Sequence, residues 1–348
     1  MELKIGNKVL GEDYPVFIVA ELSANHKQSF DIAVKTIESA KEVGADAIKL
    51  QTYTPDTITL DCENEYFKIN HGTPWDGNTL YRLYEKAYTP WEWQPKLKKI
   101  AEQLGLICFS SPFDKTSVDF LEEMNVPAYK VASFEITDVP LIEYIASKNK
   151  PIIISTGIAT LSDIEEAVKA CRIVGNNQVC LLKCTSAYPT SIEEVNLMTI
   201  PHMVQTFQCV VGLSDHTLEI AVPVASVALG AKIIEKHFIL DRKLGGPDAT
   251  FSLEPEEFKK MVSVVRDTEK ALGKVSYELT EKVKKSRQFA RSLFVVRDML
   301  EGEEFTIENI RSIRPGYGLH PRHIAEIIGQ YANQDIKRGT PLKWKYLR

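Results

Sequence analysis

Along the first two-thirds of the chain, short runs that are largely apolar end on or beside polar residues. Eight such runs occupy 16–22, 46–52, 106–112, 128–133, 151–157, 179–185, 210–215 and 232–238. Their length and composition predict β-strands. Most are separated by segments with apolar residues at helical spacing, among them 30–43, 93–104, 115–124 and 163–174. Ser162, with Glu165 three positions on, is expected to cap the last of these. Strand and helix in alternation imply a parallel sheet. Eight repeats imply closure into a (β/α)8 TIM barrel rather than an open sheet. The first ten residues read as a hairpin turning at Gly6-Asn7 and capping one end of the core.

Two stretches break the repeat. Residues 53–90 are far longer than a strand-to-helix loop of about 2–6 residues, and they carry Tyr66, Trp75, Tyr81, Tyr84 and Tyr88. They form either a loop that covers substrate or a small subdomain packed on the barrel. After a helical pattern at 256–272, the charged segment 278–287 reads as linker. A new module of short strands begins near Ser292, with a glycine-rich loop at Arg314-Pro-Gly-Tyr-Gly. The predicted organisation is a barrel over 1–274, a linker over 275–288 and a small domain over 289–348.

Composition narrows the class. The chain has 348 residues, 44% apolar and 26% charged, and a net charge of −5. That balance gives no footprint for nucleic acid. No run approaches the roughly 18 apolar residues of a membrane span. The N-terminus lacks the apolar core of a secretion signal, so a cytoplasmic protein is expected. The six cysteines, Cys62, Cys108, Cys171, Cys180, Cys184 and Cys209, have neither zinc-site nor disulfide-framework spacing and read as reduced thiols.

The chemistry sits at the strand ends, which a TIM barrel gathers on one face. Lys49, Lys130 and Lys183 lie in predicted strands two, four and six and are expected to converge on the barrel axis. A lysine there is costly unless it meets an opposite charge. The partner is either a small multiply charged anion or a carboxylate such as Glu21 or Glu135. Ser110, Ser111, Ser133, Ser155, Thr156, Thr185, Ser186 and Ser214 add hydroxyls at strand ends, which suit phosphate oxygens. His216 and His237 end the last two runs at matching depth. A lone barrel histidine is usually structural, but a pair on neighbouring strands suggests a divalent ion completed by water and substrate, with Mn²⁺ or Mg²⁺ fitting better than a closed zinc site. Glu235 shares strand parity with His237 and is a candidate to support it. Glu21 suits an acid–base group, a contact to water or a sugar hydroxyl, or an ion pair. His26 is expected to cap or brace a turn.

These residues fall in motifs that resemble the sialic acid synthase family over nearly the whole chain: Glu21-Leu-Ser-Ala-Asn-His, Lys49-Leu-Gln-Thr, Ser110-Ser-Pro-Phe-Asp, Tyr129-Lys-Val-Ala-Ser, Lys183-Cys-Thr-Ser-Ala-Tyr-Pro, Gly212-Leu-Ser-Asp-His-Thr, Glu235-Lys-His-Phe and Gly246-Pro-Asp. The tail from Arg291 resembles the antifreeze-like (SAF) domain of those synthases. The resemblance implies condensation of phosphoenolpyruvate with a 2-acetamido sugar in its open aldehyde form, with C–O cleavage and loss of phosphate. It implies catalytic roles for Glu21, Lys49 and Lys130. Phosphoenolpyruvate contacts are implied from Lys49, Ser111, Lys130, Ser133, Ser155 and Ser214, and from Ser186, which stands where neuraminate synthases carry an asparagine. Sugar contacts are implied from Gln51, Tyr188, Asp248 and Arg314. The last would come from a second subunit, so a domain-swapped homodimer is implied. The implied metal ligands are His216 and His237, holding Mn²⁺ in first place, with Mg²⁺ or Co²⁺ as alternatives. Ala249 after Gly-Pro-Asp, Ala-Tyr-Thr-Pro-Trp-Glu-Trp and Gly245-Gly-Pro-Asp-Ala-Thr-Phe resemble the pseudaminic acid branch, with surface-glycan or flagellar modification as the implied setting. The neuraminic and legionaminic branches remain alternatives. A Schiff-base aldolase using Lys130 or Lys183 and a non-catalytic sugar-binding protein are the rivals from other classes.

Overall fold

The computed structural model describes every residue except 71, 74, 188 and 189. It divides into two units, Met1–Gly273 and Lys274–Arg348.

In the first unit, β1 (Glu2–Ile5) and β2 (Lys8–Gly11) form an antiparallel hairpin. Gly6 makes its turn at φ +57°, a conformation that suits glycine. Eight parallel strands then close a barrel: β3 (Phe17–Glu21), β4 (Ala47–Thr52), β5 (Ile107–Pro112), β6 (Tyr129–Val131), β7 (Ile152–Ser155), β8 (Val179–Cys184), β9 (Val210–Asp215) and β10 (Ile233–His237). β10 closes the ring by pairing with β3, Glu235 opposite Val19 and His237 opposite Glu21.

Successive strand residues face opposite sides. Ile18, Ile48, Cys108, Tyr129, Ile154, Leu181, Val211 and Ile234 face outward into one large core shared with the helices. Phe17, Val19, Ala47, Phe109, Ile153, Leu182 and Ile233 face inward and fill the lower barrel. Leu3, Ile5 and Leu10 of the hairpin join this cluster and plug the base. Gly212 is forced by close packing: a Cβ there would lie 2.6 Å from the Ile233 carbonyl oxygen and 2.8 Å from Leu182 Cδ2. At residue 212, β9 therefore accepts no side chain without moving from β10.

Each capped helix starts where local chemistry stops the strand-to-helix loop. Ser29 caps Phe30–Glu42 by accepting from the Ile32 N–H. The helix Leu161–Ile173 is capped by Thr160, with Asp163 reciprocating, and not by Ser162. Thr160 has the extended backbone a cap requires, whereas Ser162 already lies in the first turn.

Residues 53–90 contain two short helices, Pro55–Ile58 and Leu80–Ala87, and a 3-10 turn, Glu65–Phe67. Gln28 donates to the Tyr88 carbonyl (2.6 Å), and Trp91 Nε1 donates to the Tyr53 carbonyl (3.1 Å). His26 braces the same region: Nδ1 accepts from the Gln28 N–H, and Nε2 meets Thr89 Oγ1 at 3.2 Å. Burial pushes its pKa down to about 4, so it is a neutral structural imidazole.

The second unit has its own core, built on Leu293, Val295, Met299, Phe305, Ile310 and Ile336 among others. β11 (Ser292–Val295) pairs antiparallel with β12 (Ile310–Ile313). The stretch expected as linker holds a short exposed helix, Glu281–Ser286. No helix among the described residues is long and apolar enough to cross a membrane. All six cysteines are free thiols.

Candidate active site

At the carboxyl ends of the strands, the inward positions change from apolar to polar. Glu21, Lys49, Lys130, Ser155, Cys184, Ser214, Glu235 and His237 continue the same inward register as the apolar plug below. They floor a cavity of about 520 Å³.

The floor is an ion-pair cluster. Lys49 Nζ lies 2.7 Å from Glu21 Oε2 and 3.2 Å from Glu235 Oε1. Lys130 Nζ lies 3.8 Å from the same Glu235 oxygen and donates to the Val131 carbonyl at 3.1 Å. All four side chains are at most 4% exposed. Charges this deep are tolerable only when paired. Burial opposes ionisation of Glu21, but the Lys49 ammonium outweighs it and, with help from His237 and Lys130, holds the carboxyl down at about 2. Lys49 is raised, its burial overcome by Glu21 and Glu235. Burial dominates at Lys130 and lowers it. Lys49 is thus held by two carboxylates, while Lys130, with one carboxylate oxygen at 3.8 Å, is the less committed cation.

Lys183 does not join them. On β8 the inward positions are Cys180, Leu182 and Cys184, which turns Lys183 outward. Its Nζ donates to the Cys184 carbonyl (2.7 Å) and to Thr185 Oγ1 (3.2 Å). Ser110 also faces outward, bonded to Thr52 Oγ1 at 2.7 Å. Thr156 Oγ1 donates to the Leu182 carbonyl and Thr185 Oγ1 to the Glu194 carbonyl, away from the floor, whereas Ser133, Ser155 and Ser214 line the cavity. Ser133 Oγ accepts from the Gly157 N–H at 3.2 Å, and Ser133 and Ser186 crowd Gly157 so closely that a Cβ there would strike both hydroxyls. Ser214 Oγ donates to Glu235 Oε1 at 3.0 Å. Ser111 Oγ and Ser155 Oγ are buried with no hydrogen-bond partner among the described residues. Orphaned donors beside a spare ammonium make a site suited to oxyanions.

On the opposite side, Gln51 Nε2 donates to Glu21 Oε1 (2.8 Å) and Ser23 Oγ (3.0 Å), and Ser23 donates to Asp248 Oδ2 (2.5 Å). Gln51 and Asp248 thus meet in one chain of hydrogen bonds running up from Glu21. Tyr188 lies outside the described residues.

The imidazoles of His216 and His237 are 5.3 Å apart, centroid to centroid. His216 Nδ1 donates to the Thr185 carbonyl at 3.0 Å, which orients its Nε2 as the basic nitrogen. His237 Nδ1 is buried with no partner among the described residues, and His237 Nε2 lies 3.8 Å from Glu21 Oε2. The pair fits a divalent ion of borderline hardness. Among the described residues no third His, Cys, Asp or Glu completes a cage, so such an ion would take its remaining ligands from water and substrate. Against the cost of burial, Cys184 and the Thr185 carbonyl raise the His216 pKa to about 9, so a metal ion taken up there would have to displace a proton.

Aromatic side chains wall the cavity. Phe251 packs edge-on to His237 at 5.0 Å and to Trp75 at 6.4 Å. Trp75 Nε1 donates to the Pro247 carbonyl at 2.8 Å. Tyr53 stands edge-on to Tyr84 (5.5 Å) and Phe113 (5.1 Å). The 53–90 segment therefore supplies one wall of the pocket, through Ile58, Ile69, Trp75 and Tyr84 among others.

The family model described as "NeuB family" matches residues 36–277, and that of the SAF domain matches 290–348. The chain belongs to the NeuB family. It is 49% identical over 344 residues to the pseudaminic acid synthase of Campylobacter jejuni, covering 98% of each chain. It is 47% identical to that of Helicobacter pylori, covering 94% of this chain and 96% of the other. Among solved structures it is similar to the N-acetylneuraminic acid synthetase of Leptospira borgpetersenii in complex with citrate, with a TM-score of 0.74 and 31% identity over 82% of this chain and 95% of that one. The resemblance read from the motifs is thus borne out, as are the TIM barrel and the C-terminal SAF domain.

In this NeuB-family chain three residues of the site have surroundings other than those the sequence reading gives them. Glu235 bonds Ser214 and the two lysines rather than His237, because its carboxylate reaches across the barrel. Glu135 lines the cavity; its Oε2 is shut off from solvent with no partner among the described residues. Burial pushes it up to about 7, against the pull of Lys130. Cys184 Sγ lies 3.9 Å from His216 Nδ1. Its burial is outweighed by His216, which brings the thiol down to about 7. The sequence reading makes Cys184 only a reduced thiol and Glu135 only a carboxylate partner for the lysines. Arg314 lies in the second unit, exposed, in the loop before Pro315.

Proposed function

We propose that this chain is a pseudaminic acid synthase. It condenses phosphoenolpyruvate with the open aldehyde of 2,4-diacetamido-2,4,6-trideoxy-L-altrose and water, giving pseudaminic acid and phosphate. The observation that carries this is the 49% identity to a pseudaminic acid synthase over 98% of both chains, joined to a pocket with an oxyanion floor and an apolar wall. Apolar Ala249 and Phe251, buried after Gly-Pro-Asp, suit a deoxygenated sugar.

In this mechanism Lys130, Lys49 and the hydroxyls of Ser111, Ser133, Ser155, Ser186 and Ser214 hold the phosphate and carboxylate. Gln51, Asp248 and Tyr188 hold the sugar, so that C3 of the enol ester faces the aldehyde carbon in a near-attack pose. His216 and His237 would hold Mn²⁺, which when bound supplies Lewis-acid polarisation of the aldehyde oxygen. As the C3–C1 bond forms, positive charge develops at C2, and the ionised Glu21 stabilises it. Water adds at C2 and gives up a proton; Glu135, poised near neutrality, is the carboxylate suited to take it. The tetrahedral intermediate then expels phosphate by C2–O cleavage, the C2 hydroxyl giving up its proton as the keto group forms; of the two protons of water, one ends on the former aldehyde oxygen as the new hydroxyl and the other leaves with the phosphate. We propose further that the enzyme works in the cytoplasm as a domain-swapped homodimer, with Arg314 of one copy serving the sugar site of the other.

The test is phosphate release from phosphoenolpyruvate with this sugar, with N-acetylmannosamine and with the legionaminic acid precursor, each with and without Mn²⁺. Turnover chiefly with N-acetylmannosamine would sink the substrate assignment. Label placed in the bridging oxygen of phosphoenolpyruvate is expected in phosphate; its appearance in the keto acid excludes the C–O route.

A further inference from the structure

The β9–β10 ladder pairs Ile234 with Leu213, Glu235 with Ser214 and Lys236 with Asp215, and ends there. His216 lies one residue beyond β9, where no strand pairing holds it. His237 is the last residue of β10. Immediately behind both imidazoles, on the outward register, sits an ion pair unrelated to the substrate cavity. Lys236 Nζ lies 2.5 Å from Asp215 Oδ2, with side-chain exposures of 0% and 2%. The same ammonium donates to the Thr217 carbonyl. Asp215 in turn accepts from the Thr217 N–H at 2.9 Å and from its hydroxyl at 3.2 Å. Lys236 and Asp215 therefore grip both peptide ends of Thr217 and fix the backbone that leaves His216.

A buried ion pair adds little net stability, and apolar residues of similar size often do as well. Net stability is therefore a weak reason for two buried charges here. We infer that Lys236 and Asp215 are positioning residues that carry the strand register one step past the end of the ladder and so set the separation of His216 and His237. The inference rests on the proposed role of those histidines in holding a divalent ion.

The experiment is titration of the metal-free protein with Mn²⁺, followed by the electron paramagnetic resonance of free Mn²⁺, for wild type, Lys236→Arg, Lys236→Met and the double variant Asp215→Asn/Lys236→Met. The double variant leaves no charge unpaired and keeps an acceptor for the Thr217 N–H, so it is the variant expected to fold if Lys236→Met does not; circular dichroism and thermal unfolding check this. The expected result is a dissociation constant for Mn²⁺ raised about 10–100-fold in the Met variants, the usual cost of losing a supporting contact, and raised less in Lys236→Arg. Folded variants that bind Mn²⁺ within about twofold of wild type overturn the inference while leaving the metal role intact. A wild-type protein that takes up no Mn²⁺ overturns both.

Discussion

The floor and the wall of the pocket are built in different ways. The floor is carried by strands: Glu21, Lys49, Lys130 and Glu235 come from β3, β4, β6 and β10, and barrel closure fixes their places. The wall hangs from loops: Trp75 and Tyr84 come from the 53–90 segment, and Phe251 from the 3-10 turn Ala249–Phe251. Floor residues are charged and interlocked, whereas wall residues are aromatic and meet edge to edge. In the proposed reaction the floor handles the enol ester common to every turnover, and the wall selects the sugar. The arrangement separates reaction from selectivity, and that separation is open to test.

The largest effect is expected at the floor. Lys49→Met removes the cation between Glu21 and Glu235. Phosphate release should fall by about 10²–10³-fold, and thermal unfolding should show a loss of about 3–5 kcal/mol from two carboxylates left facing each other. Retained turnover would mean that Lys130 alone runs the floor. Next comes the wall. Trp75→Ala should raise KM for the sugar about tenfold, equivalent to about 1.4 kcal/mol, and leave KM for phosphoenolpyruvate unchanged. Equal changes in both constants would show that floor and wall are coupled.

Glu135 stands between the two regions. Its folded pKa is raised from 4.5 to about 7, so the folded state prefers the protonated form. Below the unfolded value both states are protonated and the group costs nothing. As pH rises through 4.5 toward about 7 the folded state bears a growing penalty. Glu135→Gln should therefore gain in melting temperature over wild type between pH 5 and pH 8, by a few degrees. A gain that is the same at both pH values would place Glu135 in a solvated setting. The smallest contrast is between two serines. Ser155→Ala should raise KM for phosphoenolpyruvate severalfold, whereas Ser110→Ala, bonded outward to Thr52, should leave it unchanged.

Much of the floor was legible in the chain because strand parity is a local property. Glu21, Lys49, Lys130, Ser155 and His237 all sit where a period of two puts them. Lys183 shows the limit. In Val179-Cys-Leu-Leu-Lys-Cys the residues other than Lys183 are apolar or sulfur-bearing on both faces, so the sequence does not reveal which face is inward, and a slip of one residue reverses it. Glu235 between Lys49 and Lys130 depends on β10 closing against β3, a pairing of residues more than two hundred positions apart. The wall was the least legible. Residues 53–90 have no long periodic segment, and Trp75 meets distant residues, Pro247 by a hydrogen bond and Phe251 edge-on, which no pattern announces. Glu135 reads from the sequence only as a partner for the lysines; its isolated place beside the cavity does not, because it lies in a 3-10 turn, Ser133–Glu135, where neither helix nor strand periodicity applies.

Gly212 carries a consequence for anyone mutagenising this enzyme. It does not line the cavity and sits at the level of the apolar plug, yet even a methyl group there would wedge apart the two strands that lead to the histidines. A genetic screen scored on turnover would discard nearly every replacement at that position and, from phenotype alone, would credit an inert residue with chemistry it never performs.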